Sequence, residues 1–492
     1  MQRAKQRLNI VRQHFQHNSI VPPYHASTED QDELLSSERD GVGRLTLNRP
    51  EKLNALSARM AQALLLKLQE WKDSDQVKLV LVQGVEPGRV FCAGADVKRI
   101  VDDVNQGDLE RALQFFRVGY DTIYHTCALQ IPYISIIDGI IMGGGVGISV
   151  HAPFRIATEN TVLAMPETKI GFFPDVGSGF FLSRMDGQLG LYLGLTGQHL
   201  RAADVFYSGA ATHYVPSARL AELERRLASL QSPVTHDQVN RTIESCTADL
   251  EHIPSFSLGY EIRDAIDRCF KFNSMKEIVA ALQQETSKKT VTWAQETLGC
   301  LNAMCPMSLT VTLQHIRSAT TLSLVQCLRR DFVLTQKFII RPDMRQGVYQ
   351  TLAQRRAQES PTQWSPATLD QVDEALTELE FFCTPSPHSL TIATPLDFVQ
   401  YPYRHYMLPS EAEIKQVVVE ASAAAAAASK APVTMTMTQV GCYGMTTDQA
   451  VIYFSRQRNG KQGVRQKVTE VLARKTRIVP GPDGLASLEW IE

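Results

Sequence analysis

The chain has 492 residues, an ordinary apolar share of 44% and nearly balanced charge, with 50 Lys+Arg against 52 Asp+Glu. Global charge therefore predicts neither a nucleic-acid nor a membrane partner, and no apolar run approaches the roughly 20 residues of a membrane-spanning helix. The nine cysteines are scattered, odd in number and without a Cys-x-x-Cys pair, which argues for reduced intracellular thiols and against a disulfide framework or metal site.

Residues 1–28 carry Arg3, Lys5, Arg7 and Arg12 with no acid before Glu29, and Ala4, Leu8, Val11 and Phe15 fall at helical spacing. Such a basic, amphipathic, acid-poor start reads as a mitochondrial presequence, which predicts a matrix location. Residues 41–48 alternate as a strand, and Ser57 is the expected N-cap of a helix over 58–72 with Leu64, Leu68 and Trp71 inward. A buried strand over 78–82 leads to the small-residue turn Phe91-Cys92-Ala93-Gly94-Ala95-Asp96. In that turn Cys92 reads as a small buried hydrophobe and Asp96 as a helix cap.

A helix over 108–125 follows, with Leu109, Leu113, Phe116, Tyr120 and Ile123 as its apolar face. The strand 133–137 runs into Met142-Gly143-Gly144-Gly145-Val146-Gly147. Consecutive glycines let a backbone approach a ligand with no side chain between them. If they also open a helix, its free N–H groups and positive dipole end face that ligand. The backbone N–H of Ala95, placed by the earlier turn, is a second donor that could join Gly144 in an oxyanion hole. Two acids follow, Glu167 in Met165-Pro166-Glu167 and Asp175 in Phe173-Pro174-Asp175-Val176-Gly177. Both are candidates for acid/base or nucleophilic work beside the donors. His151 reads as a packed residue.

Beyond residue 185 the pattern turns helical, with a strand over 211–215 and amphipathic helices near 217–230, 258–272, 275–285, 291–303 and 308–340. At about residue 381 the character changes. Thr384-Pro385-Ser386-Pro387 and the alanine run Ala421–Ala428 read as Pro/Ala-rich linker. Arg456, Arg458, Lys461, Arg465, Lys467, Arg474, Lys475 and Arg477 then meet the single acid Glu470. Val464, Val468, Val471 and Leu472 suggest a short helix there that leaves Arg465, Lys467, Arg474 and Lys475 to solvent, so 456–477 is a candidate contact for RNA.

Asn48-Arg49-Pro50-Glu51-Lys52-Leu53-Asn54-Ala55-Leu56, the Ala-Gly-Ala-Asp turn, the glycine run and the Pro-Glu pair together resemble the crotonase (enoyl-CoA hydratase/isomerase) superfamily. The Phe-Pro-Asp-Val-Gly segment and Cys305-Pro306-Met307-Ser308-Leu309 narrow the resemblance to its 3-hydroxyisobutyryl-CoA hydrolase branch. The resemblance implies an α/β fold, a stacked ββα spiral over 40–215, a helical region over 216–380 that completes the unit, and an uncovered extension over 381–492.

The same resemblance implies that Glu167 and Asp175 are catalytic, that Ala95 and Gly144 form the oxyanion hole, and that Gly119, Gly144, Glu167 and Asp175 contact substrate. It implies an acyl-CoA substrate and no cofactor beyond the coenzyme A that the substrate carries. Hydrolysis of 3-hydroxyisobutyryl-CoA or a related short acyl-CoA, in valine catabolism, is the activity it points to. Gly147 stands where hydratases carry a glutamate, which favours hydrolysis over hydration. Gly119 and Gln346 stand where the branch usually has glutamates, and Gln354-Arg355-Arg356-Ala357-Gln358 replaces a further Lys-Asp pair. These departures leave open a second reading, a structural, RNA-contacting component of the mitochondrial ribosome small subunit, and a third, an acyl-CoA isomerase. Relatives are commonly trimers, so a homo-oligomer is open as well.

Overall fold

A computed structural model describes residues 32–247, 254–353, 362–393, 396–428, 445–480 and 486–491. The expected presequence and Gln354–Gln358 lie outside these residues. From Leu34 onward the chain forms one compact unit. No described helix is long and apolar enough to cross a membrane.

The first part of the unit contributes ten strands. They are β1 (Leu34–Arg39), β2 (Val42–Leu47), β3 (Leu79–Gly84), β4 (Val90–Cys92), β5 (Tyr133–Ile137), β6 (Ile140–Met142), β7 (Phe154–Ala157), β8 (Val162–Ala164), β9 (Leu200–Arg201) and β10 (His213–Tyr214). One sheet has the order β1-β2-β3-β5-β7-β10, and a second has the order β4-β6-β8-β9. Only the outer pairs β1–β2 and β8–β9 are antiparallel. The chain therefore visits both sheets on each circuit, β3 then β4, β5 then β6, β7 then β8, and returns through helical segments. That is the expected ββα spiral.

Side-chain alternation along these strands sorts the core into two layers. Val80 and Val82 of β3 face the main core, while Leu79 and Leu81 pack with Ile134, Ile156, Leu223 and Val239 on the other side of the sheet. The helix after β2 runs Ala58–Lys72, and Ser57 accepts a hydrogen bond from the Met60 N–H at its start. The long helix is Leu109–Ala128, begun by an Asp108 cap. The expected strand at 211–215 shortens to β10, and the helical stretch 308–340 is two helices, Pro306–Arg317 and Leu324–Phe338. A capping box between Ser323 and Gln326 starts the second of them, which is why the periodic pattern does not continue as one helix.

The extension differs most from its sequence reading. Ala421–Ala428 ends an 18-residue helix, Glu411–Ala428, because alanine is the residue with the least cost in helical form. Helices Thr447–Gln457 and Val464–Lys475 follow, then the hairpin β11 (Thr476–Pro480) and β12 (Ala486–Trp490). Ile414, Val418, Phe454, Val464, Val468 and Val471 belong to the same buried cluster as the residues of the spiral.

The helix over 464–475 forms as expected, but its charges are not left to solvent. Lys467 is buried with its Nζ 2.7 Å from Asp186, and Lys461 is buried 2.5 Å from Glu244. Arg474 is buried among Glu470 at 2.6 Å, Glu411 at 2.9 Å and Asp264 at 3.1 Å. Lys475 reaches Asp267 at 3.3 Å, leaving Arg465 with a largely exposed side chain. A local charge count misses this because most of the neutralising acids lie far away in sequence.

Removing one partner of a buried ion pair leaves an uncompensated charge, so Arg474→Ala should cost about 3–5 kcal/mol of stability. Chemical denaturation of the full chain is the check. A midpoint unchanged from the parent protein would mean that the extension is not part of the folded unit.

Candidate active site

The loop before the Ala58–Lys72 helix and the turn after β4 hold each other in place. Asn54 is fully buried at a positive φ, and its amide donates to the carbonyls of Val90 and Phe91 at 3.3 and 3.2 Å. Arg49 reaches across to Asp96 at 3.1 Å and to the Ala55 carbonyl at 2.6 Å. Asp96 caps the next helix, Val97–Asn105, as expected. A short parallel bridge between Leu56 and Ala95 uses the Leu56 N–H on the Gly94 carbonyl and the Asp96 N–H on the Leu56 carbonyl. By strand alternation the Ala95 N–H points away from that bridge.

The glycine run does open a helix, Gly144–Val150. Gly143 has φ +43°, and a Cβ there would stand 2.7 Å from Glu167 Oε1. A Cβ on Gly144 would lie 3.3 Å from the Ala95 nitrogen, so the two expected donors are neighbours across the cavity wall. Gly145 admits no Cβ either, since one would stand 2.5 Å from the Cys92 carbonyl oxygen. Cys92 itself is buried, and burial pushes its thiol up to about 12. Gly147 has Val176 Cβ and Ile123 Cδ1 at 2.6 and 2.8 Å from a built Cβ. A glutamate side chain does not fit there.

Glu167 and Asp175 both line one cavity of about 800 Å³, together with Ala95, Gly119, Gly143 and Gly144. Glu167 begins the short turn Glu167–Ile170 and is 6% exposed; its Oε2 meets no hydrogen-bonding group among the described residues. Burial, reinforced by the charge of Asp175, holds its carboxyl well above the usual carboxylate range. Burial and then Asp331 push Asp175 up to about 7, against the pull of a hydrogen bond from Tyr120. Two buried carboxyls facing one cavity cannot both ionise cheaply.

Sequence reasoning took Tyr120 as core and passed over Thr335, Asp331 and His315. The Tyr120 hydroxyl donates to Asp175 Oδ2 at 2.7 Å and sits 2.9 Å from the Thr335 hydroxyl. One turn earlier on the same helix, Asp331 accepts the Gly177 N–H at 2.7 Å, and His315 Nε2 lies 3.2 Å from its other oxygen. The readable signal was Tyr120 itself, since a buried tyrosine hydroxyl must find a partner. His151 is packed behind the site as expected, its Nε2 on the Val176 carbonyl at 2.9 Å. Gln346 is exposed and absent from the cavity lining, so its change from glutamate does not alter the cavity wall.

Residues 42–381 match the family model described as enoyl-CoA hydratase/isomerase. The chain belongs to that family. Its relatives include the mitochondrial 3-hydroxyisobutyryl-CoA hydrolase of Gallus gallus, 40% identical over 70% of this chain and 88% of that protein. The corresponding Homo sapiens protein is 38% identical over 70% of this chain and 88% of that one, which supports the 3-hydroxyisobutyryl-CoA hydrolase branch. Small ribosomal subunit protein mS47 of Neurospora crassa is 35% identical over 94% of this chain and 88% of that protein. Among solved structures, a carnitinyl-CoA dehydratase from Mycobacterium thermoresistibile has a TM-score of 0.66 at 34% identity, covering 74% of this chain and 99% of that one.

Asp175 gives a pH signature of its own. Unfolded, it releases its proton near pH 4; folded, it keeps it to about pH 7, so the unfolded state binds fewer protons between those values. Stability therefore falls as pH rises through that window, and the penalty is complete above it. Asp175→Asn should match the parent near pH 4 and exceed it at pH 8 by on the order of a few kcal/mol. Denaturation curves at the two pH values measure it, and an equal difference at both would contradict the burial argument.

Proposed function

We propose that the protein hydrolyses the thioester of 3-hydroxyisobutyryl-CoA or a related short acyl-CoA in the mitochondrial matrix, within valine catabolism. The observation that carries this reading is the convergence of Glu167 on the Gly143–Gly144 backbone beside the Ala95 N–H. A thioester carbonyl placed there directs its oxygen at the Ala95 and Gly144 N–H groups, which stabilise the charge that develops on it. Ionised Glu167 supplies the electron pair, either to the carbonyl carbon or to a proton of the attacking water. The C–S bond breaks, the proton that Glu167 takes from water passes to the departing sulfur so that coenzyme A leaves as the thiol, and water's oxygen with its other proton completes the acid product. Asp175, oriented by Tyr120, receives the substrate hydroxyl. Lys52, Lys98, Lys169 and Arg201 in the same lining suit the phosphates of coenzyme A. Gly147 supplies no second acid there, which disfavours a hydratase with two acids.

Glu167→Gln should lower kcat for 3-hydroxyisobutyryl-CoA by at least about a thousandfold in a folded protein, because the variant has no ionisable group at the reacting position. Gly144→Val keeps its own N–H but sets a side chain against the Ala95 nitrogen, 3.3 Å from its Cβ, so it should block that donor and lower kcat by about a hundredfold or more. In the parent enzyme kcat/KM should fall with acid through a pH well above the usual carboxylate range, since Glu167 must lose its proton to react. Full activity in Glu167→Gln would remove the assignment.

A second reading, membership of the mitochondrial small ribosomal subunit, is favoured by one observation. Alignment with the Neurospora crassa ribosomal protein spans 94% of this chain and so runs well into residues 381–492, whereas the hydrolases above cover 70%. Co-sedimentation with purified small subunits tests it, and the internal pairing of Lys461, Lys467 and Arg474 predicts a shallower salt dependence than eight free cations would give. Failure to co-sediment at low salt would exclude this second role.

A further inference from the structure

Gly119 is the one place where the helix Leu109–Ala128 presents no side chain to the cavity. Phe115 and Ile123, one turn to either side of it, line the same cavity, as do its neighbours Phe116 and Tyr120. A helix brings residues four apart onto one face, so Gly119 is a notch between an aromatic and an aliphatic wall. A Cβ built on it meets nothing within 4 Å. This contrasts with Gly143, Gly145 and Gly147, where built Cβ atoms come within 2.7 Å of other groups. Close packing therefore explains the other three glycines and leaves Gly119 without such a reason. Its cost is real, because glycine inside a helix is less stable than alanine.

The walls around the notch are apolar. Phe116 meets Phe115 edge to face at 5.3 Å between ring centroids and lies near Phe172 at 6.0 Å, and Phe172 also lines the cavity. Of the acids lining the chamber, Glu167 and Asp175 are committed to the reacting end in the reading above, and Asp96 is held by Arg49. A carboxylate or hydroxyl pushed toward the notch would meet ring faces and aliphatic carbon. An apolar group placed there would leave water and gain contacts.

We propose that the notch at Gly119 is a specificity pocket, and that the preferred substrates are 3-hydroxyacyl-CoA thioesters whose acyl group carries a larger apolar substituent, aryl or branched alkyl, than 3-hydroxyisobutyryl does. This rests on the thioester-hydrolase reading and refines its substrate. The 3-hydroxyl stays with Asp175, and the added substituent fills the gap between Phe115 and Ile123. Hydrophobic pockets discriminate by roughly tenfold or more per added carbon group that fits.

The test uses the full chain with 3-hydroxyisobutyryl-CoA, 3-hydroxy-5-methylhexanoyl-CoA and 3-hydroxy-3-phenylpropionyl-CoA as substrates. Thioether analogues of the same three serve for calorimetric binding. Either larger substrate should exceed 3-hydroxyisobutyryl-CoA at least tenfold in kcat/KM, and its analogue should bind correspondingly tighter. Gly119→Leu fills the notch and improves helix propensity, so it should fold; it should reduce the ratio of larger to smaller substrate at least tenfold. Should no thioester be hydrolysed, the hydrolase reading fails, while the analogue affinities still decide the pocket. A parent protein that prefers the smallest analogue, binds none of them, or keeps its ratio in Gly119→Leu overturns the proposal.

Discussion

The close approach of one backbone to another around Gly143–Gly147 is the constraint on which the rest of the site depends. Gly145 lets the short helix rest directly on the Cys92 carbonyl, and Gly147 lets it rest on Val176 and Ile123. That contact fixes the height of the helix start over the turn after β4. Gly143 then bends with a positive φ so that Glu167 comes against the same backbone. A β-carbon at Gly145 or Gly147 would push the short helix off β4 or off Val176 and Ile123, and one at Gly143 would push Glu167 away. The donors and the carboxylate are thus placed by main-chain packing, which is stiffer than side-chain packing.

Burial in that packing bears on the two acids as well. Enclosure that strengthens the N–H donors also disfavours the ionised form of Glu167 and Asp175. A raised carboxyl is a stronger base once it loses its proton, so the same desolvation that opposes ionisation favours proton removal from water. On the Asp175 side the hydrogen bond from Tyr120 favours the ionised form while the charge of Asp331 opposes it, and Thr335 and Asp331, which meet Tyr120 and the Gly177 N–H, both sit on the helix Leu324–Phe338. That helix comes from the region after the spiral, so the second acid is oriented by an element some 150 residues downstream of it.

What could be read from the sequence followed the range of the interactions. Ser57, Asp96 and the glycine helix are local features, and each forms where the residue pattern puts it. The grouping of Ala95, Gly144, Glu167 and Asp175 on one cavity came through the ordered motifs of a family rather than through periodicity. Tyr120 looked like any inward aromatic because helical spacing reports burial, not which hydroxyl needs a partner. Asp331 and His315 lie on separate helices and meet only in three dimensions. No spacing rule could pair them.

The extension shows the same limit in its electrostatics. Eight basic residues against one acid describe a cationic arm only if the arm is alone in water. Folded, the segment faces Asp186, Glu244, Asp264, Asp267 and Glu411 from earlier parts of the chain. Each buried cation is stable because its partner is buried with it, and each of those acids would be costly without its cation. Basic segment and core are therefore one electrostatic unit. Any partner that recognises the extension meets its outer face, where Ile452, Tyr453, Arg456 and Arg465 are exposed, rather than the full charge written in the sequence.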